Sequence, residues 1–279
     1  MAETKSRSTV RQRSGSSRRA TIRLRYTAVS LVSACAFIGL WEALAAVDVI
    51  EAEFFPPPSH VWGELAKLVG DGTLLDYALV SARRVLIGFM FSATVGTALG
   101  ILLGTMRPLR WLVQPVISII RPLPSLAWIP LSLLWLGIGE EQKYAIVFMG
   151  TLAPLVVFVT DATLRVDPLY VRAARNLGAS HLAIMLEIIL PAALPSIISA
   201  LKVTLALAWT CIISAEMVGS KDGLGYLIWN AKDWSNVAQV ICGMLAISVT
   251  VLALDTVLRS IEHRLVPWQR GQRLATGLM

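Results

Sequence analysis

Hydrophobic residues along this chain gather into six long blocks separated by polar connectors. The blocks cover residues 26–47, 85–106, 112–136, 144–160, 191–218 and 237–254. Each is close to the ~20 residues that a helix needs to cross a bilayer core, the fourth and sixth being at the short end. Spanning β-strands would be about half as long and would alternate apolar and polar positions. The pattern predicts an all-α integral membrane protein with six transmembrane helices. Residues 1–25 are rich in Ser and Arg and read as a disordered basic tail. A secretory leader is the rival reading. However, the apolar run behind the tail is long for a leader, and Trp41 and Glu42 do not form a small-residue cleavage site. The membrane domain is then 26–264, followed by a C-terminal tail, 265–279.

Two connectors carry structure of their own. In 49–83, Pro56, Pro57 and Pro58 make an extended lead-in. Ser59 can then cap a short amphipathic helix bearing Val61, Trp62, Leu65, Ala66 and Leu68. That helix suits a membrane interface, or a docking surface for an external protein. In 162–190, Ala173, Ala174, Leu177 and Ile184 recur at helical spacing. Gly178 ends the first run as a helix C-terminus would. Pro191 suits a new helix start. The expectation is a short helix, a turn, and a second short helix feeding the fifth block. A passive connector would need only a few residues.

Composition supports the membrane reading. The 279 residues are 56% hydrophobic and 15% charged, with a mean hydropathy of +0.66. A soluble domain carries about a quarter charged residues. The net charge of +7 does not indicate nucleic acid, because the basic residues crowd at ends and loops. It does indicate orientation. Placing the tail in the cytoplasm puts Arg107, Arg110, Arg165, Arg172, Arg175, Arg259, Arg264, Arg270 and Arg273 on the same side. Lys67, Arg83, Arg84, Lys143, Lys221 and Lys232 fall outside, among many acids. The basic side faces inward, so both termini and the 162–190 loop are expected in the cytoplasm. Cys35, Cys211 and Cys242 lie in apolar blocks and read as buried small hydrophobes.

The chain shows no phosphate-cradling loop, and no glycine is followed by lysine. His60, His181 and His263 are far apart, and no cluster has metal-ligand spacing. No nucleophile elbow is present. No catalytic, cofactor or metal site is expected in this chain.

The 162–190 loop resembles the EAA loop of ABC importer permease subunits. That pattern has an acid and two alanines, a glycine after three more positions, and a later Ile-x-Leu-Pro. Here Ala173 and Ala174 take the alanine places, Gly178 the glycine, and Ile188, Leu190 and Pro191 the ending. Arg172 stands where the family usually has glutamate. The run Arg121, Pro122, Pro124, Ser125, Trp128 and Pro130, followed by Trp135, Gly137 and Gly139, is similar to permeases for taurine, alkanesulfonates and nitrate. Arg264, Pro267 and Trp268 look most like the taurine branch.

The resemblance implies a type I ABC importer permease fold in a bacterial inner membrane. It implies that Arg172, Ala173, Ala174, Gly178, Ala179 and Pro191 belong to an ATPase-coupling element. It also implies a second copy of the chain, two cytoplasmic ATPase subunits that hold ATP-Mg, and an extracytoplasmic substrate-binding protein. The substrate would be a small sulfonate such as taurine, with nitrate or another small nutrient as the alternative. An ion-driven secondary transporter is a rival of another class, expected to carry inverted repeats. A membrane-embedded enzyme is another, expected to cluster polar catalytic residues in its spans.

Charges inside spans face a bundle interior or a watery path. Lys202 can snorkel. Glu216 suits an outer gate, helix packing or a solvated position. Arg121 can pair with a carboxylate or offer its charge to an anion. Ser125, Trp128, Trp209, Thr210 and Ser214 complete the candidate path residues. Gly88, Gly96, Gly100 and Gly104 mark a small-residue face for close helix contact.

Overall fold

The computed structural model describes residues 29–30, 32–47 and 54–265, and the chain divides into two units at Leu65 and Ala66. The 1–25 and 265–279 tails therefore lie outside the described residues, apart from Leu265 at the end of the last helix. In the first unit, α1 (Val32–Ala46) occupies the first apolar block. Part of that block, 26–28 and residue 31, also lies outside the described residues. Here Trp41 packs on Phe55 at 5.7 Å between ring centroids. Helix α2 (Pro58–Gly70) is the expected amphipathic helix. Ser59 is used differently from a cap: its hydroxyl donates to Glu42 Oε1 at 2.8 Å and its N–H to Oε2 at 3.1 Å.

The second unit is a helical bundle. Its elements are α3 (Thr73–Thr105), α4 (Arg107–Ile120), a 3-10 turn (Ser125–Trp128), α5 (Ile129–Leu136), α6 (Glu140–Leu164), α7 (Pro168–Asn176), α8 (His181–Glu216), α9 (Leu224–Asp233) and α10 (Val237–Leu265). Among the described residues, α3, α6, α8 and α10 are long and apolar enough to cross a membrane. Helix α4 and Ser125–Leu136 reach that length and apolarity only as a pair, and they bend by 95° at the break. The third block is thus two helices joined at a sharp break. Pro122 and Pro124 fall in the break, where their missing N–H groups interrupt no helical ladder.

The four glycines of α3 set its approach to α6. A Cβ at Gly88 would lie 2.7 Å from Val147 Cβ, and one at Gly96 would lie 2.9 Å from Leu155 Cδ2. Added Cβ atoms at Gly100 and Gly104 would collide with Val159 and Thr163. The main core shares Val147 with this contact. Val85 and Phe89 of α3, Ile146 and Val147 of α6, and Leu205, Ala208, Trp209 and Ile212 of α8 form it with Leu224 and Leu227 of α9. Cys211 and Cys242 are buried as expected, but Cys35 is exposed.

Three boundaries differ from the sequence expectation. Helix α3 starts at Thr73, so Arg83 and Arg84 sit in a spanning helix instead of an outer connector. Helix α9 fills the connector before the last block, where no helix was anticipated. Pro191 begins no separate helix: α8 runs through it, with a π-helical stretch at Ile184–Ile189 just before. A π turn bonds each carbonyl to the N–H five residues on, so the N–H missing at Pro191 need not break the ladder.

Candidate functional site

Three polar features stand out in a mostly apolar bundle. The first joins the ends of α3, α6, α8 and α9. Arg84 is 1% exposed, and so is Glu216. Arg84 Nη1 donates to Glu216 Oε1 at 3.0 Å. Its Nε donates to Glu140 Oε2 at 2.9 Å, and its Nη2 also reaches Glu140. The same Nη2 donates to Asp222 Oδ1 at 2.5 Å, while Nη1 also donates to the Asp222 carbonyl at 3.1 Å. Lys143 adds a second cation on Glu140 at 3.2 Å. The guanidinium fork is therefore divided among three carboxylates, which compensates charges that would otherwise be costly to bury.

Glu216 is held from other directions too. The Ser81 hydroxyl lies 2.8 and 2.9 Å from its two oxygens and accepts from the Leu224 N–H at 2.9 Å. The Gly225 N–H donates to Glu216 Oε2 at 2.9 Å. The carboxylate thus sits at the N-terminus of α9, where unpaired N–H groups and the helix dipole favour an anion. Gly223 (φ +99°) and Gly225 leave it room, because a Cβ on either would strike the Glu216 side chain. Glu216 is a packing residue of this cluster and is not solvated. Sequence reading missed Arg84, Glu140 and Asp222. The available signals were an arginine in helical phase with Ser81 and Gly88, at i−3 and i+4, and the Gly-x-Gly start of α9.

The second feature is the loop between α6 and α8. Asp167 accepts the Leu169 N–H at 2.8 Å, and Pro168 opens α7. Gly178 (φ +80°) ends it. The Ala179 N–H bonds the Ala174 carbonyl at 3.0 Å and the Gly178 N–H bonds that of Arg175 at 3.0 Å, as in a glycine-closed helix end. Ser180 then caps α8 through the Ala183 N–H at 3.2 Å. Ala174 is buried with Ile184 and Ile189, and Val171 and Ala179 pack against them. Helix α7 is therefore fixed to the foot of α8. Leu169, Tyr170, Arg172, Ala173 and Leu177 remain exposed, Leu177 at 88%. Pro191 lies on α8 beyond this contact and is exposed.

The third feature is a slot between α4 and α6. It has a volume of about 190 Å³ and is lined by Arg110, Gln114, Ser118, Arg121, Thr160 and Asp161 among others. Arg110 is occupied, its Nε donating to the Leu103 carbonyl at 2.9 Å. Asp161 also borders a cavity of about 330 Å³ with Arg165, Ser196 and Ser199.

The candidate path residues do not converge on one place. Arg121 is in the slot and Glu216 is in the buried cluster. Ser125 lies at the break after α4, against the point where Gly150 of α6 meets Cys211 of α8. Trp128 is half-buried in the same turn. Trp209 is in the core at 3% exposure, its Nε1 without a hydrogen bond among the described residues. Thr210 and Ser214 share the opposite face of α8, the Ser214 hydroxyl donating to the Thr210 carbonyl at 2.9 Å. Lys202, on the same helix, is half-buried.

Residues 96–271 match the family described as binding-protein-dependent transport system inner membrane component. The taurine transport system permease protein of Escherichia coli is 29% identical over 249 residues, covering 88% of this chain and 90% of that protein. A nitrate import permease protein of Synechocystis is 32% identical over 187 residues, covering 67% of this chain and 68% of that protein. In fold, the chain resembles a chain of the MetNI methionine ABC transporter solved in inward facing conformations. That match has a TM-score of 0.57 at 20% identity and covers 68% of this chain and 96% of that one.

Proposed function

The chain belongs to the binding-protein-dependent transport system inner membrane components, and from that premise we propose that it forms the membrane path of an ATP-driven importer for a small sulfonate such as taurine. Its class is that of a type I ABC importer permease, a multi-pass subunit that is not itself catalytic. Two copies would form one path. Two cytoplasmic ATPase subunits would bind and hydrolyse ATP-Mg, and an extracytoplasmic binding protein would deliver substrate. Both termini and α7 face the cytoplasm in this reading.

The observation that carries it is the construction of α7. A helix capped at Asp167, closed at Gly178 and pinned to α8 through Ala174 is a rigid projection with an exposed outer face. A displacement of α7 by an ATPase partner would pass into α8 and the bundle, because packed helices move as units. The taurine assignment rests on the similar E. coli permease. The similar nitrate permease supports the alternative, a small inorganic anion.

Copurification tests the partner. The chain extracted in mild detergent is expected to bring an ABC ATPase with it. A chain that behaves alone and moves substrate on an ion gradient would be a secondary transporter instead.

A further inference from the structure

The slot between α4 and α6 holds two charges that the bundle leaves unused. Among the described residues, neither Arg121 nor Asp161 has a side-chain hydrogen bond or ion pair. The other polar groups are mostly engaged. Arg110 bonds the end of α3, the Ser118 hydroxyl donates to the Gln114 carbonyl at 2.9 Å, and the Thr160 hydroxyl donates to the Val156 carbonyl at 2.7 Å. The Gln114 amide is the one further free group on this wall of the slot, among the described residues.

This arrangement is unusual for its surroundings. Arg110, Gln114, Ile117, Ser118 and Arg121 follow one face of α4, at i, i+4, i+7, i+8 and i+11, and all line the slot. Trp111, Leu112, Val116 and Ile119 occupy its other sides and are exposed, as are Gln114, Ser118 and Arg121 on the slot side. The helix thus turns its polar face toward α6. Arg121, at the C-terminal end of α4, and Asp161, one turn from the end of α6, are both exposed in the isolated chain, and a charge at membrane depth is costly unless it meets an opposite charge or a watery path. Here a cation and an anion line one cavity, with no ion pair between them among the described residues.

We infer that this slot is a transit site for a small zwitterion, a molecule with an anionic head and an ammonium group. Arg121 and the Gln114 amide donate to the anionic head, since a guanidinium fork matches the oxygens of a sulfonate or carboxylate. Asp161 accepts from the ammonium. A simple anion would satisfy Arg121 and leave Asp161 facing it as a repulsive charge, and a site rejects ligands that leave its polar groups unpaired. This deepens the importer reading, on which it rests, by separating taurine from nitrate and from plain alkanesulfonates.

The test is a thermal-shift titration of the full chain, purified in detergent with its ATPase subunits and without nucleotide. Taurine, ethanesulfonate (the same sulfonate without the ammonium) and nitrate are each added to ~10 mM, about ten times a millimolar Kd. Taurine is expected to raise the unfolding temperature by ~3 °C, and the other two by less than half of that. Arg121→Gln and Asp161→Asn are each expected to abolish the taurine shift. The comparison of ligands on the unaltered chain needs no variant to fold. Equal shifts for taurine and ethanesulfonate, no shift with taurine, or a taurine shift that survives both substitutions would overturn the inference. A preparation that carries no ATPase contradicts the importer reading itself, so the two failures are distinguishable.

Discussion

Arg84 and Glu216 are 132 positions apart in the chain and form a hydrogen-bonded ion pair at 3.0 Å, with 1% and 0% of their side-chain surfaces exposed. Four helices converge on this pair. Removing Arg84 would leave Glu216 an uncompensated buried charge at a cost of about 3–5 kcal/mol, whereas Arg84 without Glu216 keeps Glu140 and Asp222. Arg84→Gln and Glu216→Leu are each expected to lower the unfolding temperature of the detergent-solubilised protein sharply. Glu216→Gln should do less harm, since its amide oxygen can still accept from Ser81 and Gly225. A double-mutant cycle measures the coupling, and additive effects at the two positions would show that the pair does not hold the helix ends together.

Gly178 is strained for any other residue through its φ of +80°, but the space around it is open, with nothing within 4 Å of an added Cβ. A valine there should cost about 1–2 kcal/mol in local conformation, while asparagine should be milder. Gly178→Val is expected to leave the membrane bundle folded and to uncouple ATP hydrolysis from uptake. Parallel assays of ATPase rate and uptake check this. Wild-type coupling would remove α7 from the coupling role.

Gly100 is a packing glycine of a different kind. A Cβ would strike Val159 and come within 3.1 Å of the Val156 carbonyl. Gly100→Leu should separate α3 from α6 and destabilise the protein by at least 1–3 kcal/mol, roughly the range for overpacked cores. Gly39, which has nothing within 4 Å, is the control position and should tolerate alanine at little cost.

Arg172 is exposed on the outer face of α7, near Leu169 and Tyr170. An acidic or carbonyl-lined spot on the ATPase would complement it. Arg172→Glu is expected to weaken copurification of the ATPase, and increasingly so at low salt, where repulsion is least screened. Undiminished assembly would make the charge incidental.

How far the sequence revealed all this depended on whether a feature was local. Gly178 was legible because a helix end needs a left-handed residue, and Gly88, Gly96, Gly100 and Gly104 because small residues at helical spacing invite close contact. The break at Pro122 and Pro124 was legible as a disturbance, but its 95° bend was not, since a proline interrupts the helical ladder without fixing the angle between the two pieces. Arg84 was placed in an outer connector because a charge ends a hydropathy block. Only Glu216, Glu140 and Asp222, brought from distant positions, make its burial affordable. The same reasoning hid the slot: Arg121 was singled out, but Asp161 lies at the end of the next span and meets it only in the fold.

The central claim is that this chain is the path through which an ATPase partner drives a small sulfonate inward. The most direct measurement is taurine uptake into proteoliposomes holding the permease, its ATPase and its binding protein, with the ATPase on the accessible face. The account predicts accumulation that requires ATP, requires the binding protein, and is lost in Gly178→Val. Accumulation driven by an ion gradient without ATP, or ATP-driven uptake that does not need this chain, would contradict it.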